Sequence, residues 1–420
     1  MIRSAILLGS LLTASALHAA DWENWRGSEG TGIAPQATPP SSQSPDENLA
    51  WKAPLPGRGC STPIVSDGRI VLTCDIDGKD GVIAFDLKGK EQWRTTLGKA
   101  AGIRHRNAGS GCNPSAITDG EHIFVYFKSG TLAALTKDGK EVWQKNLHES
   151  YSADGLKWDL GTSPIFAGGH VVVALLHNKH PSFLLAFDKK SGKEVWKTAR
   201  DYPAPAEAQD AYTTPFVTEI DGRETIVTWG CDHLSGHDAT TGEELWKHGD
   251  FNPGQKSNWR VIASAVESDG IALVPFGRGD FIAGVKLGGK GDTTATHRLW
   301  THKGIGADSC TPAAKDGKFY VLNDKGKDRG MVSCIDPKSG KVEWQTKFPK
   351  GAAIYYSSPL IAGDKLFAAR SDGSLFSGTL TDDGLTDLAE NKLGETLVAT
   401  PIAVGSRLLV RSHDHLWCFE

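Results

Sequence analysis

The chain contains no Cys-x-x-Cys, no Gly-x-Ser-x-Gly and no Gly-rich phosphate loop. Those absences remove a thiol redox or structural zinc motif, a serine-hydrolase elbow and a nucleotide-phosphate cradle from the candidate chemistries. No basic stripe runs along it either. The 46 Lys and Arg are interspersed with 50 Asp and Glu, for a formal charge of -4, whereas a nucleic-acid binder normally shows a basic face. The apolar run Ile6 to Leu17 is too short for a stable bilayer anchor. It follows Arg3, precedes Ala19-Ala20, and has no Cys after it to carry a lipid. That is the pattern of a cleaved export signal. Residues 1–20 are therefore predicted to be a signal peptide and 21–46 a leader, with no stable membrane anchor. The mature chain is expected in the periplasm or outside the cell.

Seven cysteines leave at least one unpaired within the chain. Cys60 and Cys112 fall in neighbouring repeats, where an exported protein would be able to pair them. Small buried thiols are the alternative.

A repeat of about 50 residues dominates what is present. Each copy opens on a Ser/Thr-Pro or Asn-Pro step: Thr62, Asn113, Ser163, Thr214, Thr311, Ser358 and Thr400, each followed by Pro. Each closes on a turn leading to Trp: Trp93, Trp143, Trp196, Trp246, Trp300 and Trp344. Nearly continuous apolar runs such as Arg69 to Cys74 and Val82 to Phe85 read as strands covered on both faces. The Asp-Gly pairs at 67–68, 119–120, 221–222, 269–270 and 316–317 supply hairpin turns.

Short strands at this period predict an all-β, eight-bladed β-propeller of four-stranded antiparallel blades over residues 47–420. Blade five is degenerate, with Ser264-Ala265 for the Pro step and an insertion around Gly288 to Thr296. Blade seven carries Leu393 where a Trp is expected, and blade eight supplies only three strands. Leu49 to Leu55, with Trp51 in the repeat Trp place, is predicted to be the missing strand that pairs with Leu416 to Phe419 and closes the ring. The repeat tryptophans, Trp51 included, are read as packing residues between blades. One such ring buries roughly 150–250 Å².

Ala186-Phe-Asp188-Lys-Lys-Ser-Gly192-Lys-Glu-Val-Trp196 is similar to the Trp-docking motif of the quinoprotein, or PQQ-binding-like, β-propeller repeat family. Asp238 to Trp246 and Asp336 to Trp344 repeat it, and blades one and two carry a version one residue shorter. The leader Trp22-x-x-Trp25-Arg26-Gly27 also resembles exported members. The resemblance implies the propeller fold. It also implies one of two roles: PQQ-dependent dehydrogenase, or non-catalytic propeller of the BamB-like outer-membrane assembly type. The chain departs from the alcohol dehydrogenases in lacking their vicinal Cys-Cys pair, and from the BamB-like lipoproteins in lacking the lipid-bearing Cys.

In a propeller the loops leading into the innermost strands line a central funnel. Here they carry Arg58, Arg104, Arg106, Asn107, Trp158, Asp159, Asp210, Tyr212, Asn258, Trp259, Arg260, Asp308 and Tyr356. The arginines suit a carboxylate or phosphate, and the aromatic residues suit a planar ring. Asp210, Asp308 and Asn258 would be the oxygen donors if the family's PQQ came with Ca²⁺. No catalytic or metal-ligating set stands out. The His413-x-His415 pair and the Asp75, Asp77 and Asp80 turn read as solvated surface. The expected role is a non-enzymatic binding or scaffold propeller for a protein partner, or for a polar small-molecule or glycan ligand. A PQQ/Ca²⁺-dependent oxidoreductase of alcohols or sugars is the alternative.

Overall fold

Apolar strands of five to eight residues, covered on both faces and joined by tight turns, have one economical arrangement: sheets stacked radially about an axis. The computed structural model describes residues 21–420, so the export segment read at 1–20 lies outside the described residues. Eight antiparallel sheets surround the axis, six of four strands and two of five. Blade one runs Ile64–Ser66, Arg69–Ile76, Lys79–Asp86 and Glu91–Lys99 from the axis outwards. The ring closes as expected: Leu49–Pro54 pairs antiparallel with His415–Phe419, with Trp51 opposite Cys418. No helix of the described residues is long and apolar enough to cross a membrane.

The closing Trp of one blade packs on the turn glycine of the next. Added Cβ atoms on Gly89, Gly139, Gly192, Gly242 and Gly340 would fall 2.4–2.6 Å from Trp51, Trp93, Trp143, Trp196 and Trp300. Only glycine permits that approach, and the positive φ at each of these turns favours it as well. Four of the indoles donate to a carbonyl of the following blade: Trp51 to Leu87, Trp93 to Lys137, Trp143 to Lys189 and Trp300 to Pro337, at 2.7–3.0 Å. The Nε1 atoms of Trp196 and Trp246 are buried without a partner.

At the axis the Ser/Thr steps do something the sequence does not announce. Thr62 N–H donates to Ser115 Oγ, Ser115 to Ser163, Ser163 to Thr214, Thr214 to Ser264, Ser264 to Thr311, Thr311 to Ser358 and Ser358 to Thr400. These seven bonds, each 2.9–3.1 Å, sew neighbouring blades together.

The chain of bonds corrects the register of blade two. Its repeat hydroxyl is Ser115, followed by Ala116, so the Asn113-Pro114 step precedes the equivalent position by two residues. Blades two and five thus share a Ser-Ala step. Blade seven is corrected likewise. Ala389 faces Ser377 beside the register shift, the place Trp holds elsewhere, whereas Leu393 lies beyond the strand Gly384–Lys392. The insertion from blade five adds a parallel fifth strand, Gly291–Asp292, to the outer edge of blade four at Glu244–His248.

The leader is strapped across the axis at the far ends of the innermost strands. Trp22 exchanges two backbone bonds with Val65, and Ile33–Ala34 adds a parallel strand to Leu360–Ala362 of blade seven. Between these anchors Arg26, 3% exposed, donates to the carbonyls of Pro359 and Pro312 at 3.0 and 2.9 Å. Burial pushes its pKa down to about 9. A Cβ on Gly32 would stand 2.0 Å from its Nη2, so the strap needs glycine there.

All seven cysteines are buried free thiols, and a count on the denatured protein should find seven. Ser163→Ala should cost about 1–3 kcal/mol by leaving the Ser115 N–H buried without an acceptor, and Trp143→Ala about 3–5 kcal/mol, both read from denaturant melts. Deleting residues 47–56 should lower the melting temperature strongly; an unchanged melt would contradict ring closure.

Candidate functional site

The loops at the near ends of the innermost strands enclose a cavity of about 410 Å³ on the axis. Trp25 of the leader forms one wall and also borders a second cavity, of about 220 Å³, beyond the strap. Of the residues expected in the funnel, Trp158, Asp159, Tyr212, Arg260, Asp308 and Tyr356 line it.

The others are placed elsewhere. Arg58 donates to the carbonyl of Arg106 at 2.6 Å. Arg104 pairs with Asp154 at 3.1 Å. Arg106, Asn107 and Asn258 are exposed outside the cavity lining. Trp259 packs on Phe276 and Phe281. Asp210 is fully buried and accepts from the Lys157 and Asn178 N–H groups. Burial pushes its carboxyl up to about 6. His413 and His415 diverge, His413 towards Cys60 and His415 towards Glu395.

The charges in the wall hold one another. Asp159 is buried, pairs with Lys128 and accepts the backbone N–H groups of Arg104 and His105. It thereby braces the whole 104–108 loop. Tyr212 Oη accepts the Trp158 backbone N–H at 3.0 Å, and the indole N–H of Trp158 donates to Glu207 at 3.1 Å, which orients that ring. Asp308 takes both prongs of Arg260, at 2.9 and 3.3 Å, and is approached by Lys325 at 3.3 Å and Arg278 at 3.8 Å. Burial pushes its carboxyl up, but the three cations, Arg260 foremost, hold it below the usual range.

Sequence reading missed Trp25, Arg278, Asp324 and Lys325, all in the lining, where His105 of the 104–107 funnel loop also stands. His105 meets Trp158 and Tyr356 edge-on, with ring centroids 5.7 and 6.0 Å apart. Arg278 has a left-handed backbone, φ 59° and ψ 40°, between two glycines of positive φ. That is a strained setting for a side-chain-bearing residue. Gly277-Arg278-Gly279 marks a turn in the sequence, but not its aim.

Asp324 is 1% exposed. Its Oδ2 accepts the N–H groups of Ser309 and Cys310, and its Oδ1 has no partner. Burial, helped by the charge of Asp308, pushes it up to about 6 against the backbone donors.

A calcium ion does not fit this donor set. Among the described residues no three His, Cys, Asp or Glu side chains gather as ligands. Asp308 is already paired with cations, and both Asp210 oxygens already accept backbone N–H groups.

Comparisons with known proteins agree on the architecture and divide on activity. The profile of the family described as outer membrane protein assembly factor BamB matches residues 42–179, 79–219, 128–296 and 233–413. A polyvinylalcohol dehydrogenase of Sphingopyxis sp. (strain 113P3) is 23% identical over 332 residues, 63% of this chain and 48% of its own. The assembly factor BamB of Yersinia pestis is 28% identical over 158 residues, 36% of each chain. The match therefore spans less than half the length of either relative. The quinohemoprotein alcohol dehydrogenase of Comamonas testosteroni superposes with a TM-score of 0.66 at 15% identity, over 97% of this chain and 81% of its own; this shows the fold alone.

The folded-state pKa of Asp324 lies above its ordinary value of 3.8, so its ionised form costs stability above pH 6. That cost fades as pH falls through about 6 towards 3.8. Asp324→Asn should therefore stabilise the fold at pH 7.5 by on the order of 2 kcal/mol, and the gain should vanish near pH 4, in melts run across pH.

Proposed function

We propose that this chain, which belongs to the BamB-type PQQ-like propeller repeat family, is a non-enzymatic binding propeller that holds its ligand or partner at the funnel. The carrying observation is that the funnel's expected carboxylates are already committed. Asp308 is committed to Arg260, Asp159 to Lys128, and Asp210 to two backbone N–H groups. A hydrolytic or oxidative site needs a carboxylate free to take a proton, or a set of oxygens free to hold a metal. A wall of paired charges, with Trp25, Trp158 and Tyr356 between them, supplies orientation and contact instead. Export, read from residues 1–20, would put that binding site in the periplasm or outside the cell.

One observation favours a second reading. Asp324 combines an unpartnered oxygen, a raised pKa and a place in the cavity wall, which is the description of a poised base. A quinoprotein oxidoreductase would need such a group, and the dehydrogenase relative keeps that reading open.

A dye-linked oxidation assay on alcohols and sugars, with PQQ and Ca²⁺ added, separates the two. No rate above background is expected, while a photo-crosslinker replacing Tyr356 should give a saturable adduct. Turnover that disappears in Asp324→Asn would overturn the binding reading.

A further inference from the structure

The cations of the funnel wall gather round one carboxylate. Arg260, Arg278 and Lys325 all come within 3.8 Å of Asp308. Lys157 and Arg260 share Glu207 at 2.9 and 3.5 Å. Arg260, Arg278 and Lys325 thus stand in the cavity wall with Asp308 and the buried Asp324, while Lys157 and Glu207 lie outside that lining. Arg260 is spent structurally: its side chain is 8% exposed and is held by Asp308 and Glu207 together. Arg278 and Lys325 are not. Their side chains are 36% and 32% exposed and line the cavity; Lys325 donates to Asp308 at 3.3 Å from its exposed position, and Arg278 reaches it only at 3.8 Å, the margin of an ion pair. Two cations beside a carboxylate that one arginine already satisfies form an open seat for an anion. An arginine fork and a lysine suit the oxygens of a carboxylate or a phosphate.

Two further features restrict what carries that anion. Asp324 Oδ1 is buried, unpartnered and in the same lining. Such an atom costs free energy unless a donor reaches it, and the neighbouring Ser309 lines the cavity too. Trp25, Trp158 and Tyr356 supply aromatic surface in the same lining. At about 410 Å³ the cavity encloses a small ligand rather than a folded partner.

We infer that the funnel is a site for an acidic saccharide. In this arrangement Arg278 and Lys325 take its carboxylate, Asp324 accepts a hydroxyl, and Trp158 and Tyr356 cover a sugar face. The inference rests on the funnel-binding reading and narrows it. The same anion seat also accepts a phosphate, so the ligand panel has to tell the two sources apart.

Calorimetry on the mature chain, with oligogalacturonate, the matched neutral galactose oligomer and a sugar phosphate, tests this. The uronate should bind at least roughly tenfold tighter than the neutral oligomer. Arg278→Gln and Lys325→Gln should each weaken uronate binding by about that factor and neutral-oligomer binding by much less, with a cooperative melt retained. Equal affinity for neutral and acidic oligomers, or no effect of either variant, overturns the inference. Tighter binding of the sugar phosphate than of the uronate overturns the carboxylate assignment. If no saccharide binds but the crosslinker at Tyr356 still gives a saturable adduct, the inference fails and the binding reading stands. If both fail, both fall.

Discussion

Every blade of this molecule must bring a strand to one crowded axis, where its first N–H has no neighbour in its own sheet. The solution is a relay of side-chain hydroxyls, in which the N–H of each Ser or Thr is accepted by the hydroxyl one blade further on. Seven such bonds run from Thr62 to Thr400. A buried backbone donor left unpaired costs more than a formed bond gains, so the relay constrains the spacing of all eight blades at once. The requirement is for a hydroxyl and not for proline, which is why Ser115-Ala116 and Ser264-Ala265 serve in blades two and five.

At five junctions the outer rim adds a second pairing, between the Trp of one blade and the Gly of the next. Relay and rim hold the blades together, and the loops between them build the funnel. Even there, much of the charge is structural. The buried Asp159–Lys128 pair braces the 104–108 loop, and the Asp308–Arg260 pair joins the loops of two adjacent blades. What remains after these pairings is a small group of partly exposed cations, a buried carboxylate with one idle oxygen, and three aromatic faces. Those leftovers carry the functional argument, because groups that satisfy one another do not need a ligand.

The leader adds a constraint of its own. Arg26 is buried with carbonyls as its hydrogen-bond acceptors, which holds the strap against blades six and seven. Trp25 is then delivered to the axis, where it separates the two cavities.

The sequence by itself determined the period, the number of blades, the closing strand at Leu49–Pro54 and the packing role of the tryptophans. All of these rest on local patterns: strand alternation, turn glycines and a residue type recurring at fixed spacing. Only the tertiary structure decided the register of blade two and the place of Ala389 in blade seven. These depend on which hydroxyl or side chain meets the neighbouring sheet, and spacing along one chain does not encode that. The site divided in the same way. The loops were legible as polar and central, and Trp158, Asp159, Tyr212, Arg260, Asp308 and Tyr356 do meet. Arg58, Arg104, Arg106, Asn107, Asp210, Asn258 and Trp259 lie on the same loops but outside the lining, because a loop position does not tell which way its side chain turns. Arg278, Lys325, Asp324 and Trp25 arrive from segments that no repeat marks. Their convergence is a property of ring closure and of the strap, not of any stretch of sequence.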